Sequence, residues 1–436
     1  MFIKKSIILL SLFIPALLIF NLSSCEDSPT ESGNTNTVLS LEDVSCTEAW
    51  VKISANGLHL PNTIRIYKND SLITALLLNT KDSLLYFDNL LPDKTYKIRA
   101  RIKQYNQQSN ELTFTTMDTT SHNFTWQTFT FGQHSSSVLY DVAIINENNI
   151  WAVGEIYMND SLGNPDPHAY NAVHWDGCEW KVLRIRYYGS CSAVEFPPLV
   201  AIWAFSENNI VVTNGGSIGW FDGSSIILDC GVNPLLTGAI NKIWGTSSED
   251  LYVVGNGGNI AHYSGASSGW QKIESGTTSI INDVWGVIDP SNNQQVIYGA
   301  VSFVAQTGDQ KILKIQNNKV DSLHWNTGRR VHSVWSQNNR YLYAAGGGIF
   351  ENKRGYWNEI TEVPLYYSRN IRGTDKNNIF VCGDFGLFAH FSGTSWKTYN
   401  KLYIQGIYYS LSAKNNIVIT VGFNGSKAII IKGTRN

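Results

Sequence analysis

Arginine, tyrosine and carboxylate side chains gather at a few points of this 436-residue chain. Arg329-Arg330 and Arg369 stand just before short aliphatic runs, Tyr366-Tyr367 just before Arg369, and Asp384 in a later turn. A polar stretch at 155–170 adds Asp160, Asp166 and His168, and Tyr187-Tyr188, Asp309 and Trp325 fall in comparable turns. An arginine fork grips two oxygens of a carboxylate or sulfate together, and tyrosine offers a flat apolar body with a polar tip. These types suit a glycan or peptide, and the paired Arg329-Arg330 points to an acidic one.

Catalysis would require a further set. Two carboxylates for glycoside hydrolysis cannot be picked out from spacing alone, so a glycoside hydrolase or lyase using carboxylates of this group is the enzymatic alternative. No His/Cys/Asp run has metal-ligand spacing, and no Gly-rich loop joins a strand to a helix around a phosphate. Asp384-Phe385-Gly386 lacks any kinase context. The expectation is a binding protein without a cofactor, with a structural subunit of a surface complex as a third reading. A net charge of −2 supplies no field for nucleic acid.

The elements that must hold these residues repeat. An aliphatic–Trp–small step followed by an Asn-rich or acidic turn occurs at Ile202-Trp203-Ala204, Ile243-Trp244-Gly245, Val284-Trp285-Gly286 and Val334-Trp335-Ser336. Weaker copies begin at Val142, Ile371 and Ile407. From Val142 to Ile202 the step is 60 residues, and it is then 41, 41, 50, 37 and 36. A strand-rich period near 40 predicts an all-β fold, a β-propeller over 124–436. Seven copies predict seven blades. The last copy lacks an outermost strand, while residues 125–129 read as one with no blade of their own. The N-terminal strand is therefore expected to complete the last blade, which leaves no open edge. The repeated Trp is expected to pack between blades. Arg372 and Tyr408 replace it in the last two copies, and a charge at Arg372 must be paired or reach the channel. The 155–170 insertion accounts for the long first step, which makes its face the expected binding face.

Turns such as Trp175-Asp176-Gly177-Cys178-Glu179-Trp180, Phe221-Asp222-Gly223 and Phe391-Ser392-Gly393-Thr394-Ser395-Trp396 resemble a degenerate Asp-box, the turn of sialidase-like repeat propellers. The resemblance implies the fold, with the Asp capping the turn's own amides. Residues 38–118 read as short strands, and Leu90-Leu91-Pro92-Asp93-Lys94-Thr95-Tyr96 resembles the tyrosine corner of a fibronectin type III domain. That likeness implies a Tyr96 hydroxyl bonded to nearby backbone, Leu91 in the core, and a spacer role.

Residues 1–24 combine Lys4-Lys5 with an apolar run, as a signal peptide does. The run ends in Leu22-Ser23-Ser24-Cys25, which resembles a bacterial lipobox and implies lipidation at Cys25. The chain would then be an outer-membrane lipoprotein of a bacterial cell envelope, tethered by residues 25–37 and held by its acyl chains. Glu26-Asp27 is similar to a surface-export signal, and Asp-Ser-Leu at 70, 82, 160 and 321 to an O-glycosylation site of exported proteins. Of the remaining cysteines, Cys191 and Cys230 follow outermost strands of adjacent repeats and are the one pair considered for a disulfide.

Overall fold

A computed structural model describes residues 36–102, 107–189, 191–302 and 309–436. The signal-peptide segment, Cys25 and the tether up to residue 35 lie outside the described residues. Two β units follow one another along the chain.

The first unit packs two sheets face to face. Strands β1 (Asn36–Val44), β2 (Ala49–Asn56) and β5 (Asp82–Phe87) form one sheet. The other runs β4 (Ser71–Leu78), β3 (Asn62–Lys68), β6 (Thr95–Ile102), with β7 (Gln107–Gln108) and β8 (Leu112–Thr115) both on β6. Alternation drives the packing: Val51, Ile53, Ile64, Ile66, Ile98 and Ala100 point inward and are fully or nearly fully buried. In β1 the alternation is broken by Glu42-Asp43 at a bulge. The Tyr96 hydroxyl accepts the Leu91 amide at 2.9 Å. Leu91 itself does not enter the core. It is 61% exposed, and Leu90 packs in its place, because the turn at Pro92 swings Leu91 outward.

The second unit comprises seven four-stranded antiparallel sheets. Their innermost strands are Val138–Asn146, Ala201–Ser206, Ile240–Ser247, Ile281–Asp289, Val331–Ser336, Ser368–Asp375 and Ile407–Lys414. Each touches the next, and the last touches the first, so the sheets close into a ring around a channel. Strand β9 (Phe124–Phe131) pairs with the last strand of the chain, Lys427–Arg435, from Phe124↔Arg435 to Phe131↔Ala428, and supplies the outermost strand of sheet seven. The Asn-rich turns follow from Asn tolerance of left-handed backbone: Asn293, Asn339 and Asn415 sit at φ 56°, 62° and 52°.

The repeated Trp fills the seam between sheets. Trp244 lies over Gly286, where an added Cβ would stand 2.2 Å from the indole, and Trp335 over Gly373 in the same way. Trp203 donates to the Gly245 carbonyl at 3.1 Å and Trp285 to that of Ser336 at 2.8 Å. The small residue after each Trp thus receives the ring of the preceding sheet. The register corrects one alignment. In sheet seven the bulge precedes Ser410, so Leu411-Ser412-Ala413 takes the place of Ile243-Trp244-Gly245. Tyr408 is instead a buried residue whose hydroxyl bonds the Leu402 carbonyl at 2.7 Å.

The turn carboxylates Asp176 and Asp222 accept backbone amides two and three residues on, at 2.7 to 3.0 Å. Cys191 and Cys230 form a disulfide between the ends of sheets one and two. The β1–β2 end of the first unit docks on sheets five and six. Asp43 receives Lys376 and, at 2.6 Å, Asn338, while Arg340 meets Glu42 at 3.2 Å and Lys353 meets Glu48 at 3.0 Å. These partners come from the turns between first and second strands and from the third strand of sheet five. The docked face is therefore the one opposite residues 155–170.

Candidate binding site

Six of the seven innermost strands carry a bulge near the same end, one paired residue in for four of them and two for the first and last. The unpaired residues are Tyr140, Asn241, Asn282, His332, Arg369 and Tyr409. A bulge re-aims the side chain it leaves unpaired. All six line the mouth of the channel, together with Val200 from sheet two, around a cavity of about 330 Å³. The second strands accommodate the bulges with glycine. Gly154, Gly255, Gly346, Gly383 and Gly422 sit opposite, and a Cβ on Gly383 would stand 2.2 Å from the Tyr367 carbonyl. Gly346 serves the same close approach, with the Arg330 carbonyl 2.2 Å from where a Cβ would stand.

The residue after each bulge forms the floor. Asp283 accepts the Val334 amide of the next sheet at 3.1 Å, and Asp141 accepts that of Ile202 at 3.0 Å. Ser333 and Asn370 do the same for Ile371 and Leu411. Lys242 bonds Asp141 at 2.6 Å and Ser410 at 3.3 Å. Arg372 holds Asp283 with both forks, stands over the Trp285 ring at 4.9 Å, and also donates to Ser333 and to the Val334 and Ile371 carbonyls. Burial pushes the Asp283 carboxyl up, but the Arg372 guanidinium overrides it and holds it below the usual carboxylate range. These pairs separate the mouth from a lower chamber of about 200 Å³ walled by Trp203, Trp285 and Ala413.

At the rim, Arg369 holds Asp384 at 2.7 Å, lies over Tyr367 at 4.7 Å and stands 5.9 Å from the Tyr409 ring centre. Arg330 approaches the same Tyr367 ring at 5.6 Å, and His332 meets it edge-on. Burial, followed by the nearby Arg369, lowers His332 to about 4, so it is neutral near pH 7. Beside this group Tyr366 contacts Phe385 and Tyr403, with ring centres 5.5 and 6.0 Å apart. All three are exposed, Phe385 by 57%, and neighbouring Leu365 is exposed too. Phe385 adopts φ 59°, an outlying conformation for a bulky residue.

The structure thus brings together Arg330, Arg369, Asp384, Tyr366 and Tyr367 of the residues proposed from sequence. Arg372 lies below them, buried and fully paired. Arg329 is exposed, and its carbonyl accepts the Trp325 indole at 2.8 Å. Asp166 and His168 form a separate cluster on sheet one: Asp166 pairs with Arg184 at 2.6 Å, Arg184 stacks on Tyr170, and His168 approaches Phe196. Asp309 bonds Thr277 and Lys311. Tyr187 is no surface residue. It is buried, and its hydroxyl bonds the Ser217 carbonyl at 2.6 Å. Sequence reasoning missed Tyr140, His332, Phe385, Tyr403 and Tyr409. Only the Asp384-Phe385-Gly386 turn signalled one of them.

Among the described residues no three His, Cys, Asp or Glu side chains group to hold a metal ion, and no helix is long and apolar enough to cross a membrane. No protein-family model and no curated protein matches the sequence. Solved structures do resemble the fold. YCF48 bound to D1 peptide aligns with a TM-score of 0.53 over 71% of this chain and 95% of that one, at 13% identity. That likeness shows the fold, a β-propeller, and nothing of the ligand.

Proposed function

We propose that this chain is a non-catalytic binding protein that takes an extended polypeptide segment across the channel mouth. One observation carries the reading: the exposed Tyr366–Phe385–Tyr403 group adjoins the Arg369–Asp384 rim. Clustered exposed aromatics beside arginine are the composition of a protein-binding hot spot. The cavity of about 330 Å³, at the small end of the range for ligand pockets, can take an anchoring side chain of the segment. Arg330 and Arg369 favour acidic groups on the segment. The structural neighbour YCF48 is bound to a peptide, which is consistent with a peptide ligand here.

The same reading makes the seven sheets seven blades, the first unit a fibronectin type III-like domain, and the capped turns degenerate Asp-boxes. A lipid at Cys25 would hold the protein at a bacterial cell envelope, with the mouth on the side away from the first unit.

Peptide selection from a random library, followed by titration of the best binder, tests the proposal. Phe385→Ala and Tyr403→Ala should each weaken binding by about 2 kcal/mol or more, the size of a hot-spot truncation. Arg369→Ala should weaken acidic peptides selectively. A selected peptide that keeps full affinity for all three variants places the site elsewhere. Binding confined to a glycan array would replace the peptide with a sugar.

A further inference from the structure

The outward face of the β4-β3-β6 sheet is strongly polarised. Its register sets Leu77, Ala75 and Leu72 of β4 opposite Thr63, Arg65 and Tyr67 of β3. Arg65 and Tyr67 in turn face Arg101 and Arg99 of β6, with Lys97 two residues before Arg99. Four cations therefore stand on this face. The carboxylates that meet them, Asp70 and Glu111, bond Arg99 and Lys97. Arg101 stacks over Tyr67 at 4.8 Å and bonds Gln108, so its charge is not cancelled. Along the open edge, β4 reads Ser-Leu-Ile-Thr-Ala-Leu-Leu-Leu, and Leu72, Ile73 and Leu77 are 53%, 42% and 57% exposed. An edge strand this apolar is normally covered or charged.

This face points away from the ring of sheets. The outward residues of the other sheet, Trp50 and Tyr86, meet the ring: Trp50 packs into the core of sheets five and six, and Arg354 lies over Tyr86 at 5.3 Å. The basic face is the opposite side of the sandwich. The chain also enters the sandwich from its free end, at Asn36. Residues 26–35 can span at most about 35 Å between position 25 and that end.

We propose that the outward face of the β4-β3-β6 sheet docks on an anionic lipid surface. Arg65, Lys97, Arg99 and Arg101 meet the headgroups, and Leu72 and Leu77 enter the interfacial layer. Basic residues close to an anionic leaflet are attracted within a Debye length. A surface contact of this kind adds to the hold of the acyl chains. The sandwich then lies on the bilayer instead of standing off it, and the channel mouth faces outward.

The test needs no lipid at Cys25 and so stands apart from the anchor. The chain from residue 26 onward, which contains every described residue, is sedimented with vesicles of neutral phosphatidylcholine or with about 30% phosphatidylglycerol added. Binding is expected to the anionic vesicles alone, and to fall as salt rises. Arg65→Glu/Arg101→Glu should lower it by about tenfold or more, since each change reverses a charge at the surface. Leu72→Ser/Leu77→Ser should lower it at every salt concentration. Arg329→Glu/Arg330→Glu, on the far face, should not. Unchanged unfolding midpoints will show that the variants fold. The proposal is overturned by absent or equal binding to the two vesicles, by parental binding of the Arg65/Arg101 variant, or by equal loss in the Arg329/Arg330 control. A dimer that disappears in the Leu72/Leu77 variant without vesicle binding would assign the edge to a second copy instead.

Discussion

Arg372 of sheet six grips Asp283 of sheet four through two parallel bonds, Nη2 to Oδ1 at 2.6 Å and Nη1 to Oδ2 at 2.8 Å. The pair reaches across sheet five, whose Ser333 and Val334 bond the same two groups. Three sheets are thereby locked at the channel floor by one charge pair.

Asp283→Ala should be severely destabilising, by about 3–5 kcal/mol, because it strands a buried guanidinium. Denaturant unfolding will measure it. Asp283→Leu combined with Arg372→Met should recover much of the loss, since a packed apolar pair carries no uncompensated charge. If the double variant is as unstable as the single, packing at this point matters more than charge.

Acid should weaken the fold through histidine. His332 is lowered from 6.5 to about 4 by burial and then by Arg369, and His390 to about 2 by burial and then by His122. Both are neutral in the fold where the unfolded chain is already protonated. The unfolded state therefore binds more protons, and stability is present above pH 6.5 and lost as pH falls toward 4. Thermal midpoints between pH 7 and pH 4.5 should fall less steeply in His332→Gln than in the parent protein. Equal slopes would show that His332 does not contribute.

Deleting residues 124–130 touches none of the seven innermost strands, yet it removes the partner of Lys427–Arg435. The freed edge is apolar, with Ala428, Ile429, Ile430 and Ile431 buried in the intact ring. Aggregation at micromolar concentration, followed by light scattering, is the expected outcome. A monomeric, cooperatively folding deletion variant would mean that the ring holds without this strand.

The Cys191–Cys230 bond closes a loop of 39 residues and joins adjacent sheets. Reduction, or Cys191→Ser/Cys230→Ser, should cost about 2–4 kcal/mol. The measurement is the unfolding midpoint with and without reductant. The double variant should lose the reductant response of the monomer, since the remaining described cysteines, buried Cys46 and Cys382 and exposed Cys178, are free thiols.

Much of the architecture was legible in the chain. The Trp-small step predicted which rings fill the seams, and Trp244 on Gly286 and Trp335 on Gly373 show why the residue after Trp is small. The surplus strand at 125–129 and the missing strand at the end predicted the pairing of β9 with Lys427–Arg435. The site was only partly legible. Arg369, Asp384 and Tyr367 were picked out by type and position, but His332, Tyr140 and Tyr409 were not. Each follows an inward-facing residue and would be read as one more position of an alternating strand.

By itself the sequence determined what depends on neighbours along the chain: the strand lengths, the Asn turns, the repeat of about 40 residues, and hence the ring. The tertiary structure decided what depends on residues far apart in the chain. A one-residue bulge shifts the alternation and turns Arg369 and His332 into the mouth. Arg372 became a buried floor residue because Asp283, 89 residues earlier, lies within bonding distance once the ring closes. The same holds for Asp43 and Lys376, whose pairing sets which side of the sandwich meets the ring and which is left to face outward. Local pattern specifies each strand, but the direction and pairing of a charged side chain are set by whichever distant group the closed fold places beside it.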